Sequence, residues 1–565
     1  MIMNRRDSET QVAYHRRRFK ELMNLRTPWE PLWSGLADHI EPSRLRLDVS
    51  QGDHPRDRSK ILDSTGTFAY RTLASGMHSG ITSPARPWFR LTMEDRDLVE
   101  YGPVKEYVTA VEKLMRGKFA ASNIYTGFHT GYGDQGQFGQ SCALLVEDQA
   151  RVIRMQTMLH GRFWLARDEQ GRATTLYRKF RWSVQRIVSR FGLENVSKSV
   201  RSKYDTSDYD ATFNICHAVE PRMDRNPDSP SRRDMAFLSN YWEDDNGDKP
   251  GQLLEESGFA SNPIIAPAWE LPAEDHYAIS PGMVALGDIK MLQKEQARKL
   301  EAIDKMVRPP MTGPTSMRNN PNSLLPGSIT YVDDPNRAGY RPAMEVRLSL
   351  SDLQGDIRET RDRINQAFYA DLFLMLANME GIQPRNSMEI AERKEEKLLA
   401  LGPVLENIYS GQLAPVIDRT FEIMNDRGML PPPPPELEGQ DLEIEYISIL
   451  AQAQKAISTG AIERGLAFVG NLAAIKPDII DKIDVDQAVD EYADAIGMPP
   501  SIVRADDKVE GLRADRAKQQ QAAQAAEMAS QVAPAVKQGA EAAALLAETD
   551  SGPGGSSLLS RIGLN

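Results

Sequence analysis

Apolar positions in the first third of the chain recur at helical spacing between turn signals. Over 11–26 (QVAYHRRRFKELMNLR), Val12, Phe19, Leu22 and Met23 fall near one face with basic residues between them. That pattern predicts a helix packed on one side and solvated on the other. A second helix is predicted from Ser64 through TFAYRTLASGMHSGI, stopped by Pro84 in SPARPWF. A third covers 103–121, where Pro103 suits a first turn and Val104, Tyr107, Val108, Val111, Leu114 and Met115 repeat at helical spacing. From about 143 to 220 the period shortens. The runs ALLVED, RFWLARD, TTLYRKF and DATFNICHAVE read as strands broken by DEQGRA and acidic turns, so a mixed or β-rich layer is expected.

The middle of the chain predicts a helical pair. Residues 283–307 place Leu286, Ile289, Leu292, Leu300, Ile303 and Val307 near one stripe before Pro309 and Pro310 end it. At ~1.5 Å per residue this helix is roughly 37 Å long. A segment dense in Pro, Gly and Asn follows, with only SITYV suggesting a strand. Leu350, Leu353, Ile357, Ile364, Phe368 and Leu372 then mark a second helix, antiparallel to the first with a compact insert at the tip. Residues 373–387 (FLMLANMEGIQPRNS), with Gly381 and Pro384, read as a loop whose Asn386 or Ser387 can cap the next helix. That helix runs from Met388 to about Arg427 and must kink or segment at Pro403 and Pro415. Pro431 to Pro435 form an extended spacer before the strand-like LEIEYISIL. Beyond Ala451 the reading is helical, with 13 Ala in 517–549, and 550–565 reads as disordered. The fold class is therefore α+β, mainly helical.

Composition narrows the classes. A chain of 565 residues exceeds one compact core, so several domains or an elongated subunit are expected. Hydrophobic residues at 41% with 26% charged fit a soluble, folded protein. No run is apolar enough to span a bilayer and MIMNRRDSETQ has no apolar core, so neither a membrane span nor a signal peptide is expected. Cys142 and Cys216 could form at most one bridge, and no Cys/His cluster has zinc spacing, which points to a reducing compartment and a metal-free fold. Lys and Arg number 68 against 80 Asp and Glu, a net charge of −12. Against that balance, 151–190 holds ten Lys/Arg and two acidic residues, interleaved with Trp164, Tyr177, Phe180 and Trp182. This is either a nucleic-acid or subunit contact, or a solvated strand face whose Arg stems cover apolar neighbours.

Several motifs test for chemistry. GYGDQG at 131–136 matches the dinucleotide fingerprint by letter, but NIYTGFHT before it is no buried strand. GQSCA around Ser141 nearly matches a nucleophile elbow, with Ala143 where the final Gly belongs. Small residues of this kind equally permit close helix packing. No G-x-x-x-x-G-K-[ST] occurs, so any motor is another protein. The eight histidines (His15, His39, His54, His78, His129, His160, His217, His276) form no HExxH and no close pair, and no carboxylate pair stands out. The residues define no enzyme and call for no cofactor.

The order of elements resembles the portal proteins, or head-to-tail connectors, of short-tailed bacteriophages. The resemblance rests on SPARPWFRL at 83–91, the helix–insert–helix of 283–372, the segment EIAERKEEKLLALGPVLENIYSGQLAPVIDRTFEIMNDRGMLPPPP at 389–434, and the Ala/Gln-rich C-terminal region. LGPV and LAPVIDR inside a long broken helix are its most specific part. It implies a wing (1–281 and 388–450), stem helices (282–308 and 347–372), a clip (309–346), a tunnel loop (373–387), a crown (451–549) and a disordered tail (550–565). It further implies a ring, expected to be a dodecamer, at one capsid vertex of the virion, made in the bacterial host cytoplasm and not bound to membrane. Double-stranded DNA would pass through the channel during packaging and ejection. Its partners would be the terminase large subunit, the major capsid and scaffolding proteins, a tail adaptor, and internal core or ejection proteins.

On this reading Met379, Glu380, Gln383, Arg385 and Asn386 belong to the tunnel loop. Lys290, Lys294, Arg298, Lys299 and Lys305 are stem charges facing the channel or a neighbouring subunit, offset by Asp288, Glu295, Glu301 and Asp304. Arg318, Asn320, Tyr331 and Arg337 are clip contacts. An acidic ring suits a conduit, because phosphate neutralisation would hold the DNA and stall its sliding. The alternative is a nucleic-acid-binding scaffold or regulator using 151–190.

Overall fold

The computed structural model describes residues 10–47, 57–95, 98, 101–226, 228–229, 231–244, 252–272, 275–309, 311–312, 341–342, 350–377, 401–437, 439–440, 442–448, 450, 465–472, 484, 486–489, 492, 509 and 511–523. The chain divides into two units, one of 1–91, 110–432 and 444–482, the other of 92–109, 433–443 and 483–565.

In the larger unit, helix α1 (Gln11–Arg26) starts where the Thr10 hydroxyl accepts from the Ala13 amide. Its buried face is Val12, His15, Phe19, Leu22 and Arg26. Met23, expected inside, is 46% exposed, because the true stripe continues through Arg26 one position round the helix. Helices α2 (Glu30–His39) and α3 (Thr65–Ile81) follow. Strand β1 (Phe89–Thr92) pairs with β12 (Glu443–Tyr446). Helix α4 (Gly102–Ala121) begins in the smaller unit and ends in the larger, and α5 (Ile124–Phe138) comes next.

The β layer consists of two antiparallel sheets. Strands β2 (Ala143–Asp148), β3 (Val152–Thr157) and β9 (Ile264–Ile265) form one in the order β3-β2-β9. Strands β4 (Phe163–Arg167), β5 (Ala173–Ser183), β6 (Thr212–Pro221), β7 (Phe237–Glu243) and β8 (Glu255–Phe259) form the other, in sequence order. Side chains alternate across this second sheet. The row Trp164, Tyr177 and Ala218 packs under Val12, Phe19 and Leu22 of α1 with Cys216 and Trp242. The adjacent row, Leu165, Leu176 and Val219, faces Leu144, Ile264 and Met158 in a separate core. Helices α6 (Val184–Phe191) and α7 (Lys198–Asp205) close one end through Val184, Ile187, Val196 and Val200 on Ile215 and Tyr241. The four expected strands of 143–220 are present. The short helices between β5 and β6, like α2 and α5, were not read from the sequence, although α6 spaces Val184, Ile187, Val188 and Phe191 at helical intervals over only eight residues.

Helices α8 (Pro281–Val307), α9 (Leu350–Ala367) and α10 (Ala370–Ala377) follow. Tyr369 separates the last two with φ at 53°, a left-handed conformation unusual for a bulky side chain. The sequence reading had one helix through Leu372 and a loop from Phe373. The structure instead turns at Tyr369 and resumes as helix over FLMLA, where no residue breaks helical geometry. Strands β10 (Met311–Thr312) and β11 (Arg341–Pro342) pair antiparallel at the base of the insert.

The expected segmentation at the two prolines takes a definite form. Pro403 opens α11 (Gly402–Ile408), and Pro415 lies at the start of α12 (Ala414–Asp426). Between them Tyr409–Leu413 is a π segment in which the Ala414 amide bonds Tyr409 O. Pro415 has no amide for the carbonyl four residues back and would crowd it, and one wide turn ahead of the proline relieves both faults. In the smaller unit, Pro435–Leu437 is a short 3-10 turn and 511–523 is helical, with Arg513 gripping Asp486 at 2.5 and 2.8 Å. Residues 465–472 of the larger unit are helical as well.

Candidate functional site

The α8–α9 pair is the element on which the functional reading turns. Ser280 caps α8, accepting from the Met283 amide at 2.9 Å and donating to Gln137 O at 2.8 Å. Ala285, Leu286, Ile289 and Leu292 are buried, as are Ile357, Thr360, Ile364 and Phe368 of the partner helix. Burial of each large apolar side chain here is worth about 1.5–3 kcal/mol. The stripe does not continue as expected: Leu300 is 58% and Val307 72% exposed. A periodic pattern says which residues share a face and leaves open whether anything covers it.

A polar latch that the sequence did not reveal ties this pair to the loop before α3. Gln293 of α8 accepts the Leu62 and Asp63 amides at 2.7 and 2.8 Å and donates to Asp63 O at 2.9 Å. The Asp63 carboxylate receives Gln296 at 2.9 Å, Arg361 of α9 at 2.6 and 3.2 Å, and both the amide and hydroxyl of Thr65. Burial pushes this carboxyl upward, but the bonds from Thr65 and Arg361 outweigh it and hold it below the usual range.

The predicted stem charges have distinct surroundings. Lys290 lays its ammonium against Gly35 of α2. Lys294 and Arg298 are exposed and Lys299 is half-buried. Lys305 donates to Glu301 one turn earlier at 2.6 Å. Among the expected counter-charges Glu301 alone makes a described pair with a stem lysine. Asp288 instead meets Arg363 of α9 at 3.3 Å, and Glu295 is set against Asp356, so that burial and the neighbouring carboxyl raise its pKa. The residues expected in a tunnel loop (Met379, Glu380, Gln383, Arg385 and Asn386) and in a clip (Arg318, Asn320, Tyr331 and Arg337) lie outside the described residues.

The motifs with a possible chemical reading resolve into packing. GYGDQG lies within helix α5, with no strand delivering it, and packs against α3. A Cβ on Gly133 would meet the Tyr70 hydroxyl at 2.6 Å, and Asp134 holds Arg44 in a two-point ion pair of 2.8 and 2.5 Å. Ser141 is buried against Gly131. His15, Tyr177 and Glu220 form a bonded group in which burial raises Glu220 to about 7. His15 lies on the inner face of α1 with Tyr177 and Glu220 beneath it, and all three are buried. In 151–190, Trp164 and Tyr177 are core residues, and Arg26 covers the Trp164 ring at 3.9 Å. Neither aromatic lies on a solvated strand face, and the arginine over Trp164 comes from α1 rather than from the segment itself. Among the described residues no three His, Cys, Asp or Glu are grouped to hold a metal, and no helix is long and apolar enough to cross a membrane.

The fold combines helices and strands with an antiparallel helix pair, and comparison with known proteins places the chain. Residues 13–503 match the family described as "Bacteriophage head to tail connecting protein", and this chain belongs to that family. It is 42% identical over 535 residues to the "Portal protein" of Salmonella phage epsilon15, covering 94% of this chain and 95% of that one. It is likewise 42% identical over 537 residues to the "Probable portal protein" of Bordetella phage BPP-1, with the same coverage. Among solved structures, the "Neck of empty GTA particle computed with C6 symmetry" aligns with 77% of this chain and 94% of its own at 12% identity and a TM-score of 0.33. The chain is thus a portal protein of the head-to-tail connector family.

Proposed function

We propose that copies of this chain close into a ring, with twelve the expected number, at one capsid vertex of the virion, and that the ring conducts double-stranded DNA during packaging and ejection. Its role is structural and non-enzymatic. The observation that carries the reading is the connector-family match over 13–503, which takes in the α8–α9 pair. That pair supplies the stem, with Lys294 and Arg298 as exposed cations toward the channel or a neighbouring subunit. The insert between β10 and β11 serves as the clip, docking the terminase large subunit and later the tail adaptor. Of the residues expected in the tunnel loop of 373–387, Arg385 is the cation and Glu380 the anion offered to the DNA. Major capsid and scaffolding proteins hold the outer face, and internal core or ejection proteins meet the crown.

A head-to-tail contact repeated by a closing rotation yields a ring, and exposed Val284, Leu300 and Val307 on α8 are the kind of apolar surface that a neighbouring copy covers. Native mass spectrometry with negative-stain class averages of the full chain tests the reading. The expected result is a closed ring near twelve copies with a central hole. A chain that remains monomeric after co-expression with its scaffolding protein, and binds duplex DNA as a monomer, overturns it in favour of the scaffold or regulator.

A further inference from the structure

The α8–α9 stem does not account for where the positive charge gathers. On the edge of the five-stranded sheet, between β3, β5 and α6, lies a cleft of about 520 Å³. Arg154, Arg162, Arg178, Lys179, Arg186 and Arg190 line it, and no carboxylate does among the described residues. A second cavity, of about 360 Å³, shares Arg178 and Arg190 but carries Glu147, Glu255, Glu422 and Asp426 in its wall. Charge is balanced on that side. In the cleft Lys179 pairs with Asp244 and Arg190 with Glu255 at 3.2 Å, and Arg154, Arg178 and Arg186 are the cations with no carboxylate ion pair among the described residues.

Arg178 is the fixed point of the arrangement. It donates to His217 Nδ1 at 2.9 Å, to the Tyr241 hydroxyl at 3.0 Å and to Gln156 at 3.5 Å, and lies 5.1 Å from the Phe180 ring. None of these partners is a carboxylate. His217 is buried, donates through Nε2 to Ser239 and is kept neutral by burial and by Arg178, so it offers no counter-charge. A half-buried guanidinium held by neutral groups retains its full charge for an anion. Arg186 is stacked on Trp182 at 4.2 Å, which fixes its direction. Trp182 is also occupied by Phe180 at 4.7 Å, so it is not open for a base to stack on.

We infer that this cleft binds the phosphodiester backbone of a nucleic acid outside the central channel, without reading sequence. Arginine forks match phosphate oxygens in a two-point geometry, and five of the six cations are arginine. The covered Trp182 removes base stacking from the interaction and leaves backbone charge. An acidic segment of another protein would satisfy the same charge, but the oxygens of a polymer that carries one phosphate per nucleotide better fit several guanidinium groups gathered in one cleft.

Fluorescence anisotropy of the full-length protein tests this, with a short labelled duplex, a labelled single strand, and inorganic phosphate or polyglutamate as competitors. Arg154 and Arg186 are exposed, so Arg154→Gln with Arg186→Gln should leave the fold intact. Loss of two phosphate contacts should weaken duplex binding about 50-fold near ~0.1 M salt and lower the salt slope by about 1.8. Lys198→Gln with Arg201→Gln, outside the cleft, should change neither. Lys294→Gln with Arg298→Gln reports binding in the channel and separates a failure of the ring reading from a failure here. Greater loss with duplex or with single strand identifies the source of the backbone. An unchanged salt slope in the cleft variant overturns the inference. So does displacement of the oligonucleotide by polyglutamate at equal charge, which would assign the cleft to an acidic protein segment.

Discussion

Replacing Asp63 by Ala removes the acceptor at the centre of the latch between α8, α9 and the loop before α3. The carboxylate is 8% exposed and receives Thr65 N at 2.9 Å, Thr65 Oγ at 2.5 Å, Gln296 at 2.9 Å and Arg361 at 2.6 and 3.2 Å. Arg361 keeps 43% of its side chain in water, so its ion pair contributes no more than ~1 kcal/mol. The bonds from Thr65 and Gln296 to a buried charged acceptor bring the total to about 3 kcal/mol once partial solvation of the released donors is allowed for. That corresponds to about 150-fold in a local opening equilibrium. A chain of two units does not unfold in one step, so hydrogen exchange is the appropriate assay rather than a global melt. The Leu62 and Asp63 amides, bonded to Gln293, report on the latch directly. Their exchange should accelerate about 150-fold in Asp63→Ala while the five-stranded sheet is unaffected. Asp63→Asn, which keeps an acceptor for Thr65, should cost about 1 kcal/mol. Because the folded carboxyl sits below its unfolded value, the stabilisation is present above the ordinary aspartate range and is lost as pH falls through the folded value. Unchanged exchange at 62 and 63, or uniform acceleration across the chain, would refute the assignment.

Two further outcomes follow from buried groups. Gly139 closes α5 with φ at 87°, and a Cβ there would lie 2.1 Å from the Ala278 carbonyl oxygen, so Gly139→Ala should give insoluble or misfolded chain, read from the soluble fraction on expression. His160 is stacked on Phe138 at 4.2 Å and edge-on to Trp33 at 4.3 Å, and burial, with Arg26 and Arg44 nearby, holds its pKa far below normal. His217 is depressed in the same way. The unfolded state takes up these protons as pH falls below about 6.5 and the folded state does not, so stability should decline by about 1.4 kcal/mol per pH unit for each histidine until the folded values are reached. Hydrogen exchange of the β4 and β5 amides, corrected for the intrinsic pH dependence of exchange, should lose protection less steeply from neutral to mildly acid pH in His160→Phe, and an unchanged slope would contradict the burial argument.

Periodic apolar runs fixed the elements that depend on local pattern. Helices 11–26, 65–81, 102–121 and 281–307 and the strands at 143–148, 163–167, 173–183 and 212–221 were legible because each carries enough spaced apolar residues to state its period. Pro403 and Pro415 required a break in the long helix, since a missing donor and a ring clash are properties of the residue itself. The family was legible from the order of these elements, which needs no distances.

Tertiary packing alone decided the rest. Met23 was expected inside and is outside, while Arg26, which the apolar pattern did not mark, is buried over Trp164, because the side of a helix that meets a neighbour is chosen by that neighbour. GYGDQG became a packing face only when α3 lay against it, since glycine admits both a phosphate and a helix. Tyr369 broke a helix whose sequence has no breaker, showing that global placement can hold a residue in a conformation its own propensity disfavours. Asp63, Gln293 and Arg361 are separated by up to 298 positions and meet in one latch, and the cations of 151–190 became a cleft only when two strands, a loop and a helix brought them side by side. Charge and polarity are written along the chain, but an electrostatic site depends on distance and burial, and only the folded chain sets those.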